Sequence, residues 1–175
     1  PPRFYIQNGV AHIPSDRLGK GLAGNLSVSD NLIMKSYSQP PIASGPFLRN
    51  SAIGSFAERL IDRFQVLTPG PETLARNLSG GNQQKAILAR EITAGRSLTE
   101  GDEVPLIVAG HPTRGLDVGA IENVRKQLLE QRRQGAAILL VSGELEELIA
   151  LSDRIAVFHG GEIMGIVDAA EADID

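Results

Sequence analysis

A chain of 175 residues with 42% hydrophobic side chains can bury one core but not two ordinary ones, and it is neither a disordered nor a fibrous polymer. Seventeen Lys and Arg against twenty-one Asp and Glu give a net charge of −4, the wrong balance for a dedicated nucleic-acid binder. The absence of Cys excludes disulfides, thiolate metal sites and a cysteine nucleophile, and only 4% of residues are aromatic, too few for a surface that stacks bases or sugars. No apolar run approaches the roughly 20 residues of a membrane span. The N-terminus also lacks the charged-then-apolar pattern of a signal peptide. These features predict a cytosolic, acidic, globular chain.

In chain order, residues 3–13 alternate apolar side chains (Phe4, Ile6, Val10, Ile13) around the turn dipeptide Asn8-Gly9. That pattern predicts one or two short strands ending at Pro14. Residues 18–24 are glycine-rich and read as a loop. From Ser27 to Tyr37 the pattern predicts a helix, with Ser or Asp as N-cap and Val28, Leu32 and Ile33 at helical spacing. Residues 39–46 hold three prolines and a glycine and read as a loop. Helical period resumes at 52–65 through Phe56, Leu60, Ile61 and Phe64, and Thr68-Pro69-Gly70-Pro71 ends it.

The second half changes character. Residues 105–110 predict a strand and 118–134 a helix, with Ile121, Val124 and Leu128 on one face and Gly135 as a left-handed residue after its end. A fully apolar strand follows at 136–141, then a short helix at 144–151. Strands at 155–158 and 162–167 flank the turn His159-Gly160-Gly161. Strand, helix, strand, helix, strand predicts an α/β fold with a mostly parallel sheet, since parallel strands require crossovers. A helical insert at 18–98 then sits between a short core segment at 1–17 and the rear of the core at 99–175.

The most informative string is Leu78-Ser79-Gly80-Gly81-Asn82-Gln83-Gln84-Lys85, directly before a helical run through Ala86, Leu88, Ala89 and Ile92. A Ser and two glycines at a helix start bring bare backbone close to a ligand. They also aim free N–H groups and the positive end of the helix dipole at it, which makes an anion site. Ser79 read alone serves equally well as an N-cap, with the glycines as a turn.

This string resembles the signature motif of ATP-binding-cassette (ABC) ATPases, in the form typical of sugar and nucleoside importers. The resemblance implies a P-loop NTPase-like (RecA-like) core with an inserted helical signature subdomain. It implies that Ser79, Gly80 and Gly81 contact, in trans, ATP held by an opposing cassette, with Gln83 beside it at the dimer interface. The run 105–117 is similar to the strand and loop that normally carry two acids before Pro-Thr. Here Gly110 stands where an aspartate orders Mg²⁺, and His111 where a glutamate polarises water. His111 reads either as a proton acceptor or as a packing residue. The D-loop Gly115-Leu116-Asp117 is kept, Asp117 doubling as a helix N-cap. Ser15 occupies the Q-loop position in His12–Arg17, and Gly143 the position of a histidine that contacts the γ-phosphate. Together these losses read as one degenerate nucleotide site.

No Gly-x-x-x-x-Gly-Lys-Ser/Thr string occurs in the 175 residues, so the resemblance is to a cassette incomplete at its N-terminal side. The Pro-Thr-Arg-Gly-Leu-Asp spelling at 112–117 looks like the C-terminal cassette of fused two-cassette ATPases of simple-sugar and nucleoside importers. The resemblance therefore implies an ABC-type ATPase at the cytoplasmic face of the membrane. Its partners would be an N-terminal or second cassette, permease subunits and, indirectly, a substrate-binding protein. ATP and Mg²⁺ belong to the complete assembly, and the fragment alone is expected to bind neither and to be inactive. The competing reading is a regulatory or scaffold cassette that only stabilises the dimer. Glu144, Glu146 and Glu147 read as a solvated helix face, and the three His lack metal-ligand spacing.

Overall fold

The Asn8-Gly9 turn joins a helix to a strand. In the computed structural model, which describes residues 2–94 and 106–172, helix α1 spans Pro2–Gln7 and strand β1 spans Val10–Ile13. The alternation expected to form a strand before Asn8 is instead helical. Phe4 and Tyr5 are both more than half exposed, so no sheet face imposes a period of two there. Asn8 closes the helix, its backbone N–H and side-chain amide donating to the Phe4 carbonyl at 3.1 and 2.8 Å.

Helix α2, Val28–Ile33, opens on a capping box. Ser27 Oγ accepts from the Asp30 N–H at 3.0 Å, and the Asp30 carboxylate accepts from the Ser27 N–H at 3.3 Å. It is shorter than the predicted 27–37 because the chain tightens after Ile33, where Ser36 N–H donates to the Ile33 carbonyl at 2.7 Å. Buried Asn31 braces the preceding loop, accepting from the Ala23 N–H at 2.8 Å and donating to the Ala23 carbonyl at 3.0 Å. Within the predicted loop at 39–46 begins a small antiparallel hairpin, β2 (Ala43–Ser44) and β3 (Phe47–Leu48). Helix α3 spans Asn50–Arg63, and α4, the helix after the signature string, spans Gly80–Ala94.

Residues 17–21 are wound into a π-helical turn rather than an open loop. Asp16 caps it by accepting from the Gly19 N–H at 2.8 Å. The turn presses on α4 so closely that a Cβ at Gly21 would lie 2.6 Å from Ile87 Cδ1. Arg90 of α4 adds a hydrogen bond to the Gly21 carbonyl at 2.7 Å.

Strand β4 (Leu106–Gly110) is central in a three-stranded parallel sheet, between β1 and β5 (Ala137–Val141). Helix α5, Val118–Arg133, provides the crossover from β4 to β5. It ends as predicted, with Gly135 at φ 96°. Helix α6 spans Leu145–Leu151. Strands β6 (Arg154–His159) and β7 (Glu162–Asp168) pair with each other around Gly160-Gly161. The strand expected at 155–158 therefore does not extend the parallel sheet; the tight turn gives it an antiparallel neighbour at once. The predicted strand start at Pro105 and the 98/99 boundary lie outside the described residues.

The strand registers put Ala11, Ile107 and Ile138 in one row and Ile13, Ala109 and Leu140 in the next. That face carries the core. Ile13, Ile87, Leu88, Ile92 and Ile107 have no more than a trace of exposed surface, and each such burial contributes about 1.5–3 kcal/mol. One buried carboxylate fixes α4 to the sheet. Glu91 accepts from the His12 N–H of β1 at 2.9 Å, pairs with Arg90 Nε at 2.9 Å and also pairs with Lys35.

Candidate functional site

Ser79 lies exposed at the start of α4 and caps it. Its carbonyl accepts from the Gln83 N–H at 2.9 Å, and its Oγ accepts from the Asn82 N–H at 3.4 Å and from the Asn82 side-chain amide at 3.0 Å. With Oγ used as an acceptor, its own O–H remains to donate outward. Asn82 is fixed from behind, accepting from the Leu67 N–H at 2.9 Å. Gln83 is buried and donates to the Leu78 carbonyl at 3.0 Å. It supports the loop from beneath and does not stand on its outer face.

The two glycines have different surroundings. A Cβ at Gly81 would lie 3.1 Å from Ala120 Cβ and 3.7 Å from Asp117 Oδ2, so α4 passes close to the start of α5. A Cβ at Gly80 would be in ordinary contact with Arg17, at 3.5 Å from Nη2. As the first helical residues, Gly80 and Gly81 have N–H groups without intrahelical acceptors. With the positive end of a 15-residue helix behind them, these groups and the Ser79 hydroxyl form a donor surface suited to a phosphate oxygen.

The D-loop stands beside this surface. Gly115 has φ 66°, a left-handed conformation that favours glycine. Asp117 caps α5, Oδ1 accepting from the Ala120 N–H at 2.9 Å. Leu116 is partly buried against the core. Sequence reasoning passed over Arg17, which donates through Nη1 to the Arg114 carbonyl at 2.9 Å. The one clue was its position two residues after Ser15.

The four positions expected to be altered switches, Ser15, Gly110, His111 and Gly143, form a second cluster. The Cβ position of Gly110 is 3.9 Å from the Ser15 N, and that of Gly143 is 3.9 Å from His111 Cε1. His111 has φ 45° and donates its N–H to the Val141 carbonyl at 2.7 Å, which ties the ends of β4 and β5 together. Beneath this cluster Glu147 is completely buried, accepting from Thr113 Oγ1 at 2.7 Å and Ser142 Oγ at 2.6 Å. The expectation that Glu147 faces solvent is thus corrected: the first turn of α6 turns it inward, while Glu144 and Glu146 are exposed. Among the described residues no group of three or more His, Cys, Asp or Glu could hold a metal. Ser15, Gly110, His111 and Gly143 offer no carboxylate, so these positions do not fit a Mg²⁺ ion, which binds through oxygen ligands including carboxylates. The signature loop does fit a phosphate presented from outside.

No protein-family model matches the chain. Over 167 residues it is 44% identical to the nucleoside import ATP-binding protein NupA of Lactococcus lactis subsp. cremoris, a match covering 95% of this chain and 31% of that protein. It is 46% identical over 171 residues to the guanosine import ATP-binding protein NupO of Bacillus subtilis, covering 97% and 32%. Identity to the ribose import ATP-binding protein RbsA of Shouchella clausii is 37% over 170 residues, covering 97% and 32%. The chain thus spans about a third of the length of these curated relatives. Among solved structures it is similar to a dimeric ATP-binding cassette in a post-hydrolysis state bound to ADP and Pi. That match has TM-score 0.73 and 18% identity and covers 96% of this chain and 66% of the other. At that identity the likeness establishes the fold alone: the α/β fold that this cassette also has.

Proposed function

We propose that the chain belongs to the ATP-binding-cassette family and that it forms part of the C-terminal cassette of a fused ATPase subunit that drives sugar or nucleoside import. In this reading residues 18–98 form the signature subdomain and flank a core built from 1–17 and 99–175. The subunit sits at the cytoplasmic face of the membrane beside permease subunits, and a substrate-binding protein delivers the solute. The names of the relatives support this assignment: they are import ATP-binding proteins for nucleosides, guanosine and ribose.

The observation that carries the proposal is the contrast between the two clusters. The signature string is complete, with Ser79 exposed at the capped start of α4, while the positions read as switches hold Ser15, Gly110, His111 and Gly143. A domain built this way gives its signature to another cassette's nucleotide and does not complete a site of its own. ATP bound with Mg²⁺ on the partner cassette supplies the phosphoryl chemistry. This chain's residues bind and orient: the Ser79 hydroxyl donates to a γ-phosphate oxygen, and the N–H groups of Gly80 and Gly81 extend the donor surface. Leu116 and Asp117 line the adjoining interface, and Gln83 and Asn82 keep the loop from collapsing. Donors fixed in advance at a site from which water is excluded act most strongly on developing charge.

A second reading, a scaffold cassette that only stabilises the dimer, has its own support. Ser79 caps α4, and Gly81 permits the contact with Ala120, so both residues also serve the fold. Ser79→Asp separates the two readings. Aspartate caps a helix about as well as serine, so stability should stay within about 0.5 kcal/mol of the wild type. Its carboxylate would meet the γ-phosphate, and like charges about 4 Å apart repel by about 4 kcal/mol at an effective dielectric of 20. In the assembled importer ATPase activity should then fall by about a hundredfold or more. An unchanged melting temperature with retained activity would favour the scaffold.

A further inference from the structure

We propose that Arg17 is a positioning residue that locks the signature loop to the D-loop, so that both meet the partner's nucleotide as one surface. This rests on the reading that the signature acts in trans, and it assigns a role to a residue outside both loops.

One hydrogen bond and two close approaches converge on one guanidinium. Nη1 donates to the Arg114 carbonyl at 2.9 Å, at the threshold of the D-loop. Nη2 lies 3.8 Å from the Cβ position of Gly115. The Cβ position of Gly80 is 3.5, 3.9 and 4.0 Å from Nη2, Cζ and Nε, so the flat side of the group covers that glycine. Arg17 therefore fills the space between two loops that are 35 residues apart in sequence, counting from Gly80 to Gly115.

The anchor itself is rigid. Arg17 is the first residue of the π-helical turn, whose start Asp16 caps and whose end closes when the Leu22 N–H donates to the Arg17 carbonyl at 2.6 Å. That turn packs on Ile87 and is tied to Arg90, both on α4. Among the described residues Arg17 makes no ion pair. Its guanidinium stands on the Gly80 side of the α4 N-terminus, and the Asp117 carboxylate on the Gly81 side.

A planar fork suits this task and an ammonium does not. One face must lie on a glycine while an in-plane N–H reaches a carbonyl, and lysine supplies the charge without the plane. Because Arg17 acts through the two loops, its removal should disturb alignment in the transition state more than nucleotide binding.

The test uses the assembled importer, with Arg17→Gln, Arg17→Lys and Ser79→Asp measured side by side for melting temperature and steady-state ATPase kinetics. The expected result is a kcat about tenfold lower in Arg17→Gln, with KM for ATP within about twofold and melting unchanged. Arg17→Lys should recover less than half of the loss. If Arg17→Gln keeps its kcat while Ser79→Asp loses activity, the proposal for Arg17 is overturned and the signature reading stands. Full recovery in Arg17→Lys also overturns it, since charge alone would then suffice. If both Arg17→Gln and Ser79→Asp keep full activity, the signature reading itself fails.

Discussion

Glu147 shows how a residue outside the signature shapes the switch positions. Its two carboxylate oxygens hold Thr113, after β4, and Ser142, after β5, so the loops that carry His111 and Gly143 share one buried brace. Glu147→Ala would leave two hydroxyls without that partner and open a hole at a site with no solvent exposure. The expected loss is about 2–4 kcal/mol of unfolding free energy, read by urea denaturation as a lower midpoint. Glu147→Gln fills the same volume and can still bond a rotating hydroxyl, so its loss should be about 1 kcal/mol. If the alanine variant were as stable as the wild type, the brace would be of no consequence.

At the scale of elements, the junction of α4 with α5 separates the two signature glycines. An alanine at Gly81 would push on Ala120 at 3.1 Å, and the two helices would have to part by a few tenths of an ångström. Overpacking of this kind costs about 1–3 kcal/mol, offset by up to about 1 kcal/mol from replacing a helical glycine. Gly80→Ala meets only ordinary contact with Arg17 and should be neutral or stabilising by less than about 1 kcal/mol. Chemical denaturation of both variants should therefore show Gly81→Ala as the less stable. Equal stability would mean that α5 shifts without cost. The same contact explains why Ser79, not Gly81, is the site for a charge probe: an aspartate at Gly81 would disturb packing as well as place charge near Asp117.

For the molecule as a whole, the parallel sheet is covered among the described residues on the face that carries the core, while β5 leaves apolar side chains exposed on the other. The rows containing Ala11, Ile107 and Ile138, and Ile13, Ala109 and Leu140, are packed beneath helices, whereas Leu139 and Val141 on the other face are 57% and 51% exposed. A strand as apolar as Ala137–Val141 is typical of a parallel sheet covered on both faces. The proposed contact with nucleotide has the same one-sided character. The 175 residues include no phosphate-cradling glycine loop with its lysine, and the switch positions carry no carboxylate. The chain by itself is expected to bind Mg-ATP more weakly than about micromolar, since cradle amides, lysine and metal make most of the contacts in such sites. Titration calorimetry that finds micromolar affinity would refute this.

What the sequence determined by itself was whatever local pattern can encode. The helices at 50–63 and 118–133 and the parallel strands on either side of the latter were legible from periodicity and caps. The α/β class followed from their alternation, and the resemblance to a family from the string Leu78-Ser79-Gly80-Gly81. Tertiary structure decided the rest, because those features depend on partners far along the chain. Residues 2–7 are helical, with no strand paired to them among the described residues, and the strand at 154–159 pairs with its hairpin partner and not with β5. Gln83 turned inward to the Leu78 carbonyl, and Glu147 to two hydroxyls, since buried polar groups must find partners wherever the fold provides them. Arg17 reaches a carbonyl 97 residues away. No local pattern records a contact of that kind, because its geometry exists only once the π-helical turn, α4 and the D-loop have packed together.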